Sequence, residues 1–244
     1  MAFKVWKGII GGCLVLFQLS PLCGQSRNEN DDAFHQYIQE FFFTEAVYAQ
    51  EKRELQFTFS NYYQQQNEIQ LLMEYGFTDR LQMEVELSNV TNRNQAGFTG
   101  ELGFLYNAWN SPGTSFSIAT GVGIEREDED ESGEGTEASW EAKAVFAKQL
   151  GPVQTHTDLS LEIPGDETQW AFNTALLVPF GRVKGIFEVN SRQEGQKNWQ
   201  ITPGMVFSTW KRSEIALGLP VALSGGNDVG FVVRLTIEFE GEAD

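Results

Sequence analysis

The chain has 244 residues, a formal net charge of −17 and a mean hydropathy of −0.30. Such an acidic chain is a poor partner for nucleic acid, because phosphates attract basic proteins. No apolar run after the N-terminus reaches the length of about 20 residues that a membrane-spanning helix needs, which excludes a helical membrane protein. A membrane β-barrel passes this test, since only one face of each of its strands has to be apolar.

The N-terminus has the organisation of a secretory signal peptide. Two lysines precede a short apolar run, residues 9–17, which is too short to span a membrane. We therefore predict a signal peptide over 1–24. Both cysteines of the chain, Cys13 and Cys23, lie in this leader. The mature chain is expected to have no disulfide, no catalytic thiol and no thiolate metal site.

A polar stretch followed by a short amphipathic helix is predicted within 25–51. Asp31 and Asp32 are suited to cap such a helix at its N-terminus. The apolar side of the helix would carry Phe34, Ile38, Phe41 and Phe42. The favoured interpretation places this helix on the rim of the domain that follows. The alternative is a periplasmic segment or one that plugs the interior of that domain.

From residue 52 to residue 240 the sequence alternates between apolar and polar side chains. The clearest segment is 228–240, in which one face carries Val229, Phe231, Val233, Leu235, Ile237 and Phe239. This period of two predicts a strand, and its length suits a tilted strand that crosses a bilayer in about 9–11 residues. Twelve such segments follow one another, an even number as in bacterial outer-membrane barrels. The last strand could then pair with 53–60 and close the barrel.

The connections between these segments alternate in length. Short turns are predicted at 76–80, 107–113, 150–152, 179–182 and 208–212, and longer polar loops at 88–96, 125–138, 190–198 and 222–228. Short periplasmic turns and longer external loops are typical of outer-membrane barrels, as are aromatic side chains at both strand ends. The predicted fold is an all-β, transmembrane, antiparallel up-and-down β-barrel of about 12 strands over 52–240. A short tail, 241–244, follows it.

Several short patterns carry a resemblance to a known family. They are Phe-Thr-Glu-Ala at 43–46, Tyr-Gly-Phe-Thr-Asp-Arg-Leu at 75–81, Ala-Lys-Gln-Leu-Gly at 147–151, Thr-Pro-Gly-Met at 202–205 and Leu-Gly-Leu-Pro-Val at 217–221. With them the chain resembles the outer-membrane family named for the meta-pathway of phenol degradation. The resemblance spans most of 43–240 and implies an outer-membrane barrel with a channel or transport role. Arg53 departs from the family, which tends to have glycine there.

The inward face of the barrel is predicted to be acidic. The predicted lumen residues are Glu84, Glu86, Glu101, Glu141, Lys143, Asp158, Glu188 and Arg234. A water-filled lumen of this kind favours cations or neutral polar solutes over anions. The other interpretation is a cross-linked interior, in which carboxylates pair with the few bases and hold the strands in shape.

The acidic segment 125–137 has part of the spacing of a calcium-binding loop. Asp128, Asp130 and Ser132 fall at its first, third and fifth positions, but Ser139 stands where a bidentate acid is needed. A solvated external loop is therefore favoured over a metal site. Loose binding of divalent ions, bridging to lipopolysaccharide, is the alternative. No cofactor is predicted.

An enzymatic role is not predicted. Some twelve-stranded outer-membrane barrels hydrolyse phospholipids with a catalytic set of serine, histidine and asparagine. This chain has only two histidines, His35 and His156. His156 is interpreted as a polar residue at a strand end. We predict a passive channel or porin-like transporter for small solutes in the outer membrane of a Gram-negative bacterium. The alternative is a closed structural or surface-interaction barrel with functional external loops. The expected partners are the lipid bilayer, lipopolysaccharide, the outer-membrane assembly machinery and small solutes.

Overall fold

The computed structural model shows a closed antiparallel β-barrel. It describes residues 38, 40–64, 67–91, 96–127, 135–165, 168–194, 196–210, 212–224 and 228–239. The strands are β1 (Leu55–Tyr63), β2 (Asn67–Thr78), β3 (Leu81–Thr91), β4 (Ala96–Ser111), β5 (Thr114–Glu127), β6 (Gly135–Leu150), β7 (Val153–Pro164), β8 (Gln169–Phe180), β9 (Val183–Glu194), β10 (Gln196–Trp210), β11 (Ser213–Gly218), β12 (Val221–Ala222) and β13 (Phe231–Phe239). From β1 to β11 each strand pairs with its neighbour in sequence, and β13 pairs with both β11 and β1.

The barrel has twelve strands around its circumference. β11 and β12 lie end to end along β10, separated by Leu219 and Pro220, and together form one interrupted strand. Proline has no backbone N–H to donate, which accounts for a break at this point. The seam between β1 and β13 runs in register from Leu55↔Phe239 to Tyr63↔Phe231. The prediction of a twelve-stranded barrel closed by the last strand is confirmed.

Alternating side chains separate an apolar outer surface from a polar interior. Along β13, Leu235 and Ile237 are exposed on the outside, whereas Arg234 and Thr236 are buried inside. The same alternation exposes large apolar side chains on the other strands. A closed sheet pairs its backbone polar groups and leaves no edge, as a lipid environment requires. The structure is therefore the transmembrane type of barrel that the sequence predicts.

The loop at 190–198 is shorter than predicted. β9 ends at Glu194 and β10 begins at Gln196, so the two strands run through most of the predicted loop. Strands can continue beyond the lipid zone as ordinary polar hairpins, and there the apolar alternation that marks them is no longer needed. The acidic connection also shortens, to 128–134. The weak metal candidates in it, Asp128, Asp130 and Ser132, lie outside the described residues.

The predicted N-terminal helix is not present in the part of the segment that the structure describes. Residues 31–37 and 39 lie outside that part, whereas Ile38, Phe41 and Phe42 belong to a bent, non-helical segment. No helix among the described residues is long and apolar enough to cross a membrane. We call residues 38 and 40–51 the plug, because this stretch runs inside the barrel rather than on its rim. Its backbone N–H groups bond to carboxylates of the barrel wall, which removes the need for helical hydrogen bonds.

A tight turn joins the plug to β1. Glu54 N donates to Glu51 O at 2.9 Å, and Arg53 N donates to Gly76 O at 2.7 Å. A Cβ atom at position 76 would lie 2.6 Å from Gln50 O, so this close approach requires glycine. Arg53 has a φ of 68°, the left-handed conformation that favours glycine. This conformation gives a physical reason for the glycine that the resemblance leads one to expect there.

Candidate functional site

Glu188 on β9 is the main anchor of the plug. Its carboxylate accepts hydrogen bonds from the backbone N–H groups of Phe42, Phe43 and Thr44 at 2.7, 2.9 and 2.9 Å, and from the Thr44 hydroxyl at 3.0 Å. The side chain is fully buried. A carboxylate that receives several N–H donors in a buried site holds the donating backbone firmly. Glu188, predicted to line the lumen, therefore lies beneath the plug.

Other inward side chains hold the plug as it crosses the barrel. Glu45 N donates to Asp158 Oδ2 at 2.9 Å, and the Glu45 carboxylate lies 3.1 Å from Lys143 Nζ. Gln50 N donates to Gln82 Oε1 at 2.6 Å. These contacts come from β3, β6 and β7, so the plug is bonded to several walls of the barrel.

The carbonyl oxygen of Val47 in the plug faces two further polar side chains. Asn107 Nδ2 donates to it at 3.2 Å, and the Ser117 hydroxyl also donates to it. Both side chains are buried on the inward face of β4 and β5. The plug thus contacts β4 and β5 as well.

Arg234 on β13 also serves the plug. Its guanidinium donates to Phe42 O at 3.0 Å and to Ser60 Oγ at 2.9 Å, and it lies 3.8 Å from the Glu40 carboxylate. Burial raises the pKa of Glu40 to about 7, and the positive charge of Arg234 opposes that rise. The base that the sequence assigned to an open lumen is a plug contact.

The aromatic side chains of the plug fit individual sites in the wall. Phe41 lies against His156, with ring centroids 4.4 Å apart. Phe42 lies over Gly204 and Gly218, where a Cβ atom would come within 2.9 Å of its ring. The apolar cluster around them contains Ile38, Ala175, Leu177, Ile186, Val206, Ala216 and Val232. His156, interpreted as a polar residue at a strand end, is the fourth residue of β7, where it faces inward and is fully buried.

A cavity of about 810 Å³ lies beside the plug, and we call it the vestibule. Its lining reaches the ends of the strands opposite the short turns, at Tyr62, Asn198 and Ser224. We call this end of the barrel the loop side and the other end the turn side. Two bases, Lys143 and Arg234, contribute to the lining. Nine carboxyl groups do so: Glu40, Glu45, Glu68, Glu84, Glu86, Glu101, Glu141, Asp158 and Glu162.

The vestibule does not continue to the turn side. Seven of the eight predicted lumen residues line it, and Glu188 does not. Inward side chains nearer the turns are also absent from its lining and are almost fully buried: Gln82, Asn107, Ser115, Ser117 and Gln154. The plug therefore closes the lumen at the level of these five side chains, near the turn side.

Sequence reasoning missed the plug residues that line the vestibule, chiefly Glu40 and Glu45. A signal for part of the plug existed, since the Phe-Thr-Glu-Ala pattern at 43–46 is the stretch that Glu188 and Asp158 bind. As a family feature the pattern gives no location within the barrel. Its backbone contacts could not be read from side-chain periodicity.

The acids of β3, β4 and β6 surround a pair of glycines. In the sheet register Glu84 faces Gly103, Gly103 faces Gly121, and Gly121 faces Glu141. One row nearer the loop side, Glu86 faces Glu101 directly. No group of three or more metal-ligating side chains that could hold a metal ion occurs in the described part of the chain. The carboxylates are thus spread over a wall and do not converge on a point.

Comparisons with known proteins bear on the fold. No family model matches the chain, and no curated protein matches it. Among solved structures, a KdgM porin is similar over 76% of this chain and 99% of its own, with a TM-score of 0.57 and 9% identity. An outer membrane channel from Pseudomonas putida F1 is similar over 83% and 100%, with a TM-score of 0.56 and 9% identity. LpxR from Salmonella typhimurium is similar over 75% and 99%, with a TM-score of 0.51 and 10% identity.

The fold and the comparisons together define the class. The closed twelve-stranded sheet, its apolar exterior and its similarity to solved outer-membrane proteins give this chain the fold of an outer-membrane β-barrel. At 9–10% identity the likeness concerns the architecture alone. What the barrel does has to be argued from its own interior.

Proposed function

We propose that this chain is an outer-membrane channel that admits small cationic or neutral polar solutes and disfavours anions. The observation that carries the proposal is the charge of the vestibule, where nine carboxyl groups face two bases. Walls of low dielectric constant strengthen the field of such an excess charge and raise the local concentration of cations. A transport role is also what the family resemblance implies.

Conduction requires the plug to move, because it closes the turn side of the lumen. Much of the plug is held by hydrogen bonds from its backbone to Glu188, Asp158 and Gln82, which water can replace when the segment leaves. The rival candidate is a closed barrel whose external loops carry the function. The closed turn side favours it, so the behaviour of the plug decides between the two.

The apolar exterior supports a location in the outer membrane of a Gram-negative bacterium, with the bilayer as the surrounding medium. Lipopolysaccharide and the outer-membrane assembly machinery are further proposed partners. The proposed activity includes no catalytic step. It requires only that solutes reach the vestibule from the loop side and pass the plug.

Planar-bilayer recording tests the channel proposal. The chain without residues 1–24 is inserted, and its folding is checked by heat-modifiable mobility on gels. A KCl gradient should give a reversal potential of cation-selective sign. Glu86→Gln with Glu101→Gln should reduce this selectivity, whereas Asp79→Asn, which removes one negative charge in a turn away from the vestibule, should not.

Two results would count against the proposal. A folded barrel that shows no current, even when Glu188→Ala weakens the plug, would leave the closed barrel as the better account. A reversal potential of anion-selective sign would show that the carboxylates of the vestibule do not set selectivity.

A further inference from the structure

We propose that the wall of the vestibule formed by β3, β4 and β6 binds an organic polycation of the linear polyamine type. This inference rests on the proposed function, because the ligand reaches the site by the route that a permeating solute takes. It names the class of solute that the interior recognises best.

Two carboxylates in this wall have no counter-charge in contact. Glu86 and Glu101 are directly opposite each other on β3 and β4, an arrangement of like charges that destabilises a sheet. Neither makes a hydrogen bond or an ion pair with another residue that the structure describes. The nearby ammonium group of Lys143 is engaged by Glu45 and Glu141, each at 3.1 Å. A bound cation would offset the repulsion between Glu86 and Glu101.

The wall is shaped to keep these carboxylates beside an open space. Gly103 and Gly121 leave a recess, and a Cβ atom at position 121 would overlap the carboxylate of Glu101. Glu84 Oε2 lies 3.4 Å from the position that a Cβ atom would take at Gly103. The acids therefore lie flat over glycine and do not fill the vestibule. A ligand can approach three carboxylates from one side.

A second, independent observation points to a ligand with N–H donors. Asn190 on β9 lines the same vestibule and is only 9% exposed. Its Nδ2 donates to Asn173 Oδ1 at 3.1 Å, whereas its Oδ1 has no hydrogen-bond partner among the described residues. A buried acceptor without a donor costs free energy, which a donor on a ligand would recover.

The arrangement suits an organic cation better than a metal ion. The carboxylates do not form a group that could hold a metal among the described residues, so one small ion cannot contact them together. A chain with several ammonium groups can place one at the acidic wall and extend another across the vestibule towards Asn190. The cavity of about 810 Å³ also falls in the range of about 300–1,000 Å³ that is usual for small-molecule sites.

Calorimetric titration with spermidine tests the site on the folded barrel in detergent. The parent should bind, and Glu86→Gln with Glu101→Gln should weaken binding about a hundredfold, since each lost charge-assisted contact corresponds to about tenfold. Gly121→Ala should also weaken binding although it leaves every charge in place, because it displaces Glu101. Asp79→Asn should bind as the parent does. Heat-modifiable mobility confirms the folding of each variant.

The outcomes separate this inference from the channel proposal. Spermidine binding that depends on Glu86 and Glu101, in a barrel without current, would support the site and count against the channel. A cation-selective current with no binding or block by spermidine would overturn the site and leave the channel standing. About tenfold weakening by Asp79→Asn, as much as is expected for one of the two vestibule charges, would reduce the effect to general charge attraction and overturn the site. Calcium binding with the same dependence on Glu86 and Glu101 would replace the polyamine by a metal.

Discussion

Replacing Glu188 with glutamine should release the plug. The carboxylate accepts three backbone N–H groups at 2.7–2.9 Å in a fully buried position. Glutamine can keep the oxygen that accepts from Phe43 and Thr44, but it then turns an N–H₂ group towards the backbone N–H of Phe42. The loss of this charge-assisted hydrogen bond should weaken docking by about 1.5–3 kcal/mol. The population with the plug released should rise at least about tenfold.

Thiol labelling measures this population. The chain without residues 1–24 has no cysteine, so Ala46→Cys gives a single reactive group in the plug. Ala46 is buried, and a maleimide reagent can reach its replacement only when the plug leaves the wall. Adding Glu188→Gln should therefore raise the labelling rate in proportion to the released population.

Glu86→Gln is the matched control. It removes the same charge from the interior but makes no contact with the plug, so it should leave the labelling rate near that of the parent. If Glu188→Gln labels no faster than the parent, the hydrogen bonds to Glu188 do not hold the plug. If both variants accelerate labelling equally, the charge of the lumen governs docking instead.

Three further changes test other parts of the structure. Leu235→Arg should lower the free energy of unfolding by about 2–4 kcal/mol, because the outward side chain contacts lipid. A denaturant titration measures this change. A variant as stable as the parent would mean that the inward and outward faces of the strand have been exchanged. Gly204→Val should clash with the ring of Phe42. Such overpacking typically costs about 1–3 kcal/mol, so the labelling rate of the plug should rise at least about tenfold. Gly185→Ala introduces only ordinary contacts and should not change that rate. Burial raises the pKa of Glu40 to about 7 in the docked plug, so the docked state binds more protons and docking should weaken as the pH rises from 4.5 to 7. Labelling, corrected for thiol reactivity with an exposed cysteine, should follow that trend, and Glu40→Gln should make the dependence on pH less steep.

The fold was predictable because lipid imposes a simple rule on each strand. The outward face of each strand must be apolar along the stretch that spans the membrane. The period-two alternation that results identifies 228–240 and the other segments as strands. The closing pair β1–β13 followed from the even number of strands. Strand ends were less predictable, as at 190–198, because beyond the lipid a hairpin needs no apolar face.

The predicted helix on the rim is not present at the described residues Ile38, Phe41 and Phe42, and their pattern has two physical interpretations. Ile38, Phe41 and Phe42 have the spacing of one helical face, and the same spacing also allows separate contacts with different strands. The deciding partners, Glu188 and the glycines at 204 and 218, lie more than 140 residues away in the sequence. The sequence also predicts acidic lumen residues, but the division of the lumen into a vestibule and a plugged zone depends on that distant contact.

The turn between Glu51 and Glu54 makes the plug a tethered ligand of its own barrel. Arg53 and Gly76 hold the C-terminal end of the plug at the turn side of the barrel. A released plug therefore stays close to its site. For so short a linker the effective concentration is in the millimolar range and does not change when the protein is diluted. A solute that competes for the interior therefore faces a constant internal competitor, so occupancy should depend on solute concentration and not on the number of barrels in the membrane.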